Sequence, residues 1–168
     1  MMRKILFIVI FFYLISSHAQ KYPQFYVRHN NDTIQCEIIN FSNKKVNLIA
    51  NGIKMSLTPK LIKSFSSYTP SGFRNFTILK NDKKNFYEEI IIGKLSFYKV
   101  HTGNQYAGIL PVMVKNDKIV YLNVLNPRER IAELISDCPT LLKEWNDTEK
   151  YKTSDREEIV NIYNKDCK

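Results

Sequence analysis

The stretch FYEEIIIGKLSFYKV (86–100) is apolar almost without a break on either side of Gly93. Such a run suits strands covered on both faces, and the glycine suits a bend or bulge between two of them. In a strand, neighbouring side chains point to opposite faces. Glu88 and Glu89 therefore cannot share one acid/base site, and one of them is expected to be buried or at a rim.

The same period of two extends outward in both directions. TIQCEII (33–39) alternates, with Ile34, Cys36 and Ile38 on one face, and the turn NND (30–32) pairs it with QFYVRH. KVNLIA and IKMSL are joined by Asn51-Gly52, two residues that accept the positive φ of a type I′ hairpin turn. LIKSFSSY, the turn TPSG (69–72) and FRNFTILK (73–80) follow, and NDKKN leads into the central run. Downstream, YAGILPVMV and KIVYLNV form a last hairpin around KND, in which Pro111 predicts an edge or bulged strand. About eight to ten short strands with turns between them argue for an antiparallel sandwich or partly open barrel.

At residue 126 the period changes to that of helices. NPRERIAELI reads as Asn126 at the N-cap, Pro127 at N1 and Glu129 at N3, with Ile131, Leu134 and Ile135 forming one apolar stripe. Pro139 starts a second helix with Leu141, Leu142 and Trp145 inward, and SDRE (154–157) reads as the capping box of a third, whose buried face is Ile159, Val160 and Tyr163. Cys167, four residues beyond Tyr163, continues that face. If the last two helices form an antiparallel hairpin, Cys167 returns beside Cys138 at the start of the middle helix, and a Cys138–Cys167 disulfide is expected. Cys36 is left as a small buried hydrophobe. The fold class is thus α+β, a strand-rich body over 20–125 followed by a disulfide-tied cap of two or three short helices over 126–168.

The first residues supply a cellular address. Arg3 and Lys4 precede the apolar run ILFIVIFFYLI (5–15), which ends in SSHAQ. This is the pattern of a secretory signal peptide over residues 1–19, cut after Ala19, and the run is shorter than the roughly 20 residues of a membrane-spanning helix. The chain is therefore expected to be exported, periplasmic or secreted, touching the membrane only through the leader before cleavage. The whole sequence carries 25 basic against 16 acidic residues, and loss of Arg3 and Lys4 leaves 23 against 16, a surplus of +7. Outside the cytoplasm this favours acidic polysaccharide, lipid headgroups or acidic proteins over nucleic acid. The lysines, however, are scattered over turns.

No H-E-x-x-H, C-x-x-C or G-x-S-x-G pattern occurs, and the five glycines are too dispersed for a phosphate-cradling loop. His29 to Asp32 lack the spacing of a calcium loop and are explained as a turn. No catalytic residue, metal site or cofactor is implied. The most distinctive surface signal is aromatic and basic residues side by side in GFRNF (72–76) and FYKVH (97–101), giving Phe73, Arg74, Phe76, Tyr98, Lys99 and His101 as a candidate ligand or interface surface. Phe73 and Phe76 differ in parity, so at least one is expected to be partly exposed.

The leader, the DTI strand start, LTPKLIKSFS, FYEEIIIGKLSFYK, SDCPTL and the terminal IVNIYNKDC together resemble a large group of small exported proteins of Bacteroidota-type Gram-negative bacteria that has no assigned activity. The resemblance implies an envelope location, supports the disulfide, supplies no catalytic residue, and makes Asp32-Thr33-Ile34 similar to an O-glycosylation acceptor of such bacteria. The expected function is a non-catalytic binding or interaction module of the envelope, with an envelope protein or an anionic glycan as partner. The alternatives are an accessory protein of an outer-membrane assembly or homo-oligomer, betrayed by a long unpaired edge strand, and an enzyme, betrayed by a cleft holding a histidine and a carboxylate within hydrogen-bond reach.

Overall fold

The computed structural model describes residues 24–69, 72–103, 108–122 and 125–167; the expected leader lies outside them. Eleven strands are followed by three helices: β1 Phe25–Arg28, β2 Thr33–Gln35, β3 Glu37–Phe41, β4 Val46–Ala50, β5 Ile53–Leu57, β6 Ile62–Thr69, β7 Gly72–Leu79, β8 Asp82–Ile91, β9 Leu95–His101, β10 Ile109–Lys115, β11 Lys118–Tyr121, α1 Pro127–Leu134, α2 Pro139–Asn146 and, after a 3₁₀ turn at Thr153–Asp155, α3 Arg156–Asp166. An eight-stranded antiparallel sheet has the order β11-β10-β9-β8-β7-β6-β1-β2, and β3-β4-β5 form a separate small sheet. This is the expected α+β arrangement of antiparallel sheets with a helical cap.

Turn chemistry sets the hairpins. Asn51 and Gly52 have φ of 52° and 77°, and Asn116 and Asp117 have 49° and 62°, the left-handed pairs that match strand twist in tight hairpins. The stretch 33–39, expected as one strand, breaks at Cys36: β2 belongs to the large sheet and β3 to the small one. Gln24 bridges the break, its carbonyl accepting from Cys36 N at 2.9 Å and its side-chain oxygen from Ile38 N at 2.6 Å. The alternation itself holds, because Ile34, Cys36 and Ile38 all pack against the same cluster.

Cross-strand register shows where the core lies. Tyr26, Phe65, Phe76, Glu88 and Lys99 follow one another across β1, β6, β7, β8 and β9, and Phe97, Met113 and Val120 continue on the same face. The small sheet covers one part of this face, packing Val46, Leu48 and Ala50 on Phe65, Phe76 and Phe86. Phe65 and Phe76 stack at 4.6 Å and Phe86 meets Phe65 edge-on at 5.0 Å. The helices cover another part, packing Ile131, Trp145, Ile159 and Tyr163 on Leu95, Phe97 and Met113. Each fully buried side chain of this size contributes about 1.5–3 kcal/mol.

The cap is tied down at three points. Cys138 and Cys167 form the expected disulfide, with Cα atoms 5.6 Å apart across 29 residues of sequence, a closure worth about 3.5 kcal/mol in the chain-entropy model. The Arg128 guanidinium lies 4.4 Å from the Trp145 ring and donates to the carbonyls of Tyr151 and Trp145, while Trp145 Nε1 donates back to Arg128 O at 3.0 Å. Asn164 clasps Leu95, accepting from its N–H at 2.9 Å and donating to its carbonyl at 2.8 Å.

Three local expectations are corrected. Pro111 sits in an interior strand without a bulge, paired with Lys99. Its carbonyl accepts from Leu122 N, just past the end of β11, so its missing N–H faces the place where the edge ladder stops. Asn126 precedes α1 but has φ 62° and makes no side-chain cap, since capping needs an extended backbone there. The expected Ser154 cap is absent: a capping bond from Lys152 N to Asp155 Oδ2 at 2.7 Å closes the 3₁₀ turn instead, and α3 starts after Asp155 with no side-chain cap.

Candidate functional site

Glu88 and Glu89 do diverge, and each anchors a different environment. Glu88 is 1% exposed on the core face. Arg74 Nη1 donates to its Oε1, and His101 Nε2 donates to its Oε2. The rings of Phe41 and Phe76 each stand 5.8 Å from the His101 imidazole. Asn43, in the β3–β4 turn, wedges between β8 and β9 where their ladder ends: its N–H donates to His101 O at 3.0 Å and its carbonyl accepts from Phe86 N at 2.7 Å. Lys99 reaches from the same face to Glu157 of α3 at 2.9 Å. A polar row thus occupies the core face, pairing with α3 through Lys99 and with the small sheet's turn through Asn43.

Burial pushes the Glu88 carboxyl up, but the hydrogen bond from His101 and the charge of Arg74 outweigh it and hold the group below its ordinary range. Both oxygens are engaged, and at 1% exposure the group is enclosed on the core face. The histidine and carboxylate that would mark an enzyme are present, then, but neither lines the cleft on the other face of the sheet.

That cleft, of about 520 Å³, lies on the opposite face of the large sheet. Register shifts between Thr77 and Leu79 and between Glu89 and Ile91 mark bulges in β7–β8 and β8–β9, which bend strands and increase twist. The coiling brings the β7–β8 tip to the β10–β11 tip: Lys80 Nζ meets Asp117 Oδ2 at 2.5 Å, and Asn81 Nδ2 donates to Asp117 O at 2.9 Å. Side chains, not a strand ladder, make this closure, so the barrel stays open. Leu79, Tyr87, Tyr98, Val100 and Val112 pack on the coiled face. Beneath them the Tyr87 hydroxyl donates to Asp82 at 2.6 Å and lies 2.7 Å from that of Tyr121.

Thr77, Glu89, Ser96, Tyr98, Val114 and Ile119 line the cleft between the two tips. Most of its polar groups are committed. Lys80 is paired with Asp117, Lys94 Nζ donates to Cys167 O at 3.1 Å, and Ser96 Oγ donates to Gly93 O at 3.0 Å. Glu89 has no hydrogen bond or ion pair among the described residues, and burial pushes its carboxyl up. Its register partner is Tyr98, whose phenol is raised by burial and by the Glu89 charge against a lowering hydrogen bond from Ser96.

The expected ligand surface is only partly brought together. Arg74, Lys99 and His101 share the core face, with Arg74 and His101 on Glu88 and Lys99 on Glu157. Phe76, expected at the surface, is 2% exposed in the core, because the small sheet covers it. Tyr98, 8% exposed, points the other way and belongs to the coiled face. Phe73 is the exposed member of the pair that parity set on opposite faces, beside its register partner Tyr68 and 6.3 Å from the Phe25 ring. Cys36 is half-buried rather than buried, and burial pushes its thiol up to about 11, far from a reactive thiolate. His29 contacts Pro59 O at 3.2 Å, and no group of three metal-ligating side chains occurs among the described residues. Sequence reasoning missed Thr77, Ser96 and the Lys80–Asp117 closure. The alternation of 86–100 was the one available signal, since it set Glu89 on the face opposite Glu88. No family model, curated protein or solved structure matches the chain.

Proposed function

We propose that the chain is an exported, non-catalytic binding module of the bacterial envelope whose ligand occupies the cleft between the β7–β8 and β10–β11 tips. The observation that carries this reading is the cleft itself: about 520 Å³, within the range of small-molecule sites, lined by hydroxyls and one unpaired carboxylate on a scaffold braced by packing on its other face. The basic, apolar, then small-residue leader and the Cys138–Cys167 disulfide support an oxidising compartment. Enclosure of Glu88 and its His101 partner on the core face, outside the lining of the cleft, supports binding over acid/base chemistry there.

The test is capture from a cell-envelope extract by the exported chain and by Ile119→Trp, which fills the cleft from the edge strand. Mass spectrometry of the eluates is expected to find a small molecule or glycan with the wild type that Ile119→Trp loses, at matched thermal stability. Equal retention by both, or no retention by either, overturns the cleft as the site. A second reading, contact with an envelope protein, is favoured by the neighbouring exposed rings of Tyr68 and Phe73. It predicts a captured protein that survives Ile119→Trp and is lost with Tyr68→Ala/Phe73→Ala.

A further inference from the structure

The charges inside the cleft narrow what it can hold. The chain is basic overall, yet both lysines that line the cleft are tied within the protein, Lys80 by the Asp117 carboxylate and Lys94 by a hydrogen bond to the neutral Cys167 carbonyl just past α3. Glu89 is the lining carboxylate that has no hydrogen bond or ion pair among the described residues, and it sits across the ladder from Tyr98. A carboxylate and an aromatic ring side by side both attract a cation. An anion entering the same space meets an uncompensated carboxylate, and a purely apolar ligand leaves that carboxylate desolvated without a partner. Beside the pair, the Thr77 hydroxyl, which donates to Ile78 O at 3.3 Å, keeps its acceptor lone pairs for a hydroxylated body.

Resting on the cleft being a binding site, we infer that its ligand is a compact hydroxylated molecule carrying a primary ammonium, seated with the ammonium between Glu89 and Tyr98. Amino sugars and small amino alcohols share this chemistry. The anionic glycan suggested by the net charge does not fit here; its attraction is to the scattered surface lysines.

The experiment titrates the ¹⁵N-labelled exported chain at neutral pH with three probes of one size, glucosamine, glucose and glucuronate, following the amides of Ser96, Tyr98, Val114 and Ile119. Glucosamine is expected to shift these amides saturably at millimolar concentration, at least about tenfold more tightly than glucose, with glucuronate weaker still. Glu89→Gln is expected to keep the spectrum elsewhere and to lose about tenfold in glucosamine affinity. Glucose or glucuronate binding as well as glucosamine, or an unchanged Glu89→Gln affinity, overturns the ammonium inference and leaves the cleft as a binding site. If none of the probes shifts these amides up to about 10 mM, well above millimolar affinity, both ideas fall. The wild-type comparison decides the ligand class even if the variant is unstable.

Discussion

Glu88 and Glu89 are neighbours with opposite electrostatic signs in the folding balance. The Glu88 carboxyl is held below its ordinary range, so it contributes stability that is full above the unfolded glutamate pKa and is lost as pH falls through the folded one. Glu89 is raised, so its protonation stabilises the native state; that contribution is present below the unfolded pKa and lost as pH rises through the folded one. Denaturant unfolding followed from roughly pH 7 down to 3 is expected to show a flatter acid loss in Glu88→Gln than in the wild type, and a steeper one in Glu89→Gln. A Glu88→Gln profile parallel to the wild type contradicts the pairing. That the two point apart was legible from period alone. That Glu88 meets Arg74 and His101 was not, because those partners come from different strands and meet only through register. Nor could alternation tell which face of 97–101 is covered, which is why Tyr98 reads as surface in the sequence and is buried in the structure.

The hairpins were readable because a type I′ turn demands positive φ, and Asn51-Gly52 advertises it. The switch at Cys36 was not, since a strand that changes sheets keeps its alternation: Ile34, Cys36 and Ile38 face one cluster throughout. Caps misled because Asn126 and Ser154 have the right side chains while the backbone places the first in the left-handed region and Asp155 makes the bond at the second. Gly93 was expected as a bend, and its deeper role is room. A Cβ there stands 2.5 Å from the Asn164 side chain, which holds both polar atoms of Leu95 and docks α3 on β9. Gly93→Ala is therefore expected to cost about 1–3 kcal/mol. Relief is expected in Gly93→Ala/Asn164→Ala, where the added methyl finds space, so the double variant loses less than the sum of the two singles. Additive losses in denaturant unfolding contradict the clasp.

In the whole molecule, the small sheet and the helical cap share one face of the large sheet, and the coiled face is left to enclose its own tyrosines and the cleft. Composition and strand count made the class legible. Strand order was half legible, because β6 to β11 form a simple meander, while β1 and β2 join beyond β6 and β3 to β5 leave the sheet altogether. The cleft was illegible, since it arises from two bulges and from two hairpin tips 37 residues apart in sequence meeting through Lys80 and Asp117. Division of labour between the faces makes adjacent residues do different things. Thermal unfolding of Glu88→Gln and Glu89→Gln at neutral pH tests this most directly. Glu88→Gln leaves Arg74 and His101 without their anion and is expected to lose about 2–4 kcal/mol, a Tm lower by roughly 5–10 °C. Glu89→Gln removes a half-buried charge with no partner among the described residues and is expected to hold or raise the Tm. Equal losses in the two variants, or the larger loss in Glu89→Gln, contradict a core face and a ligand face on one sheet.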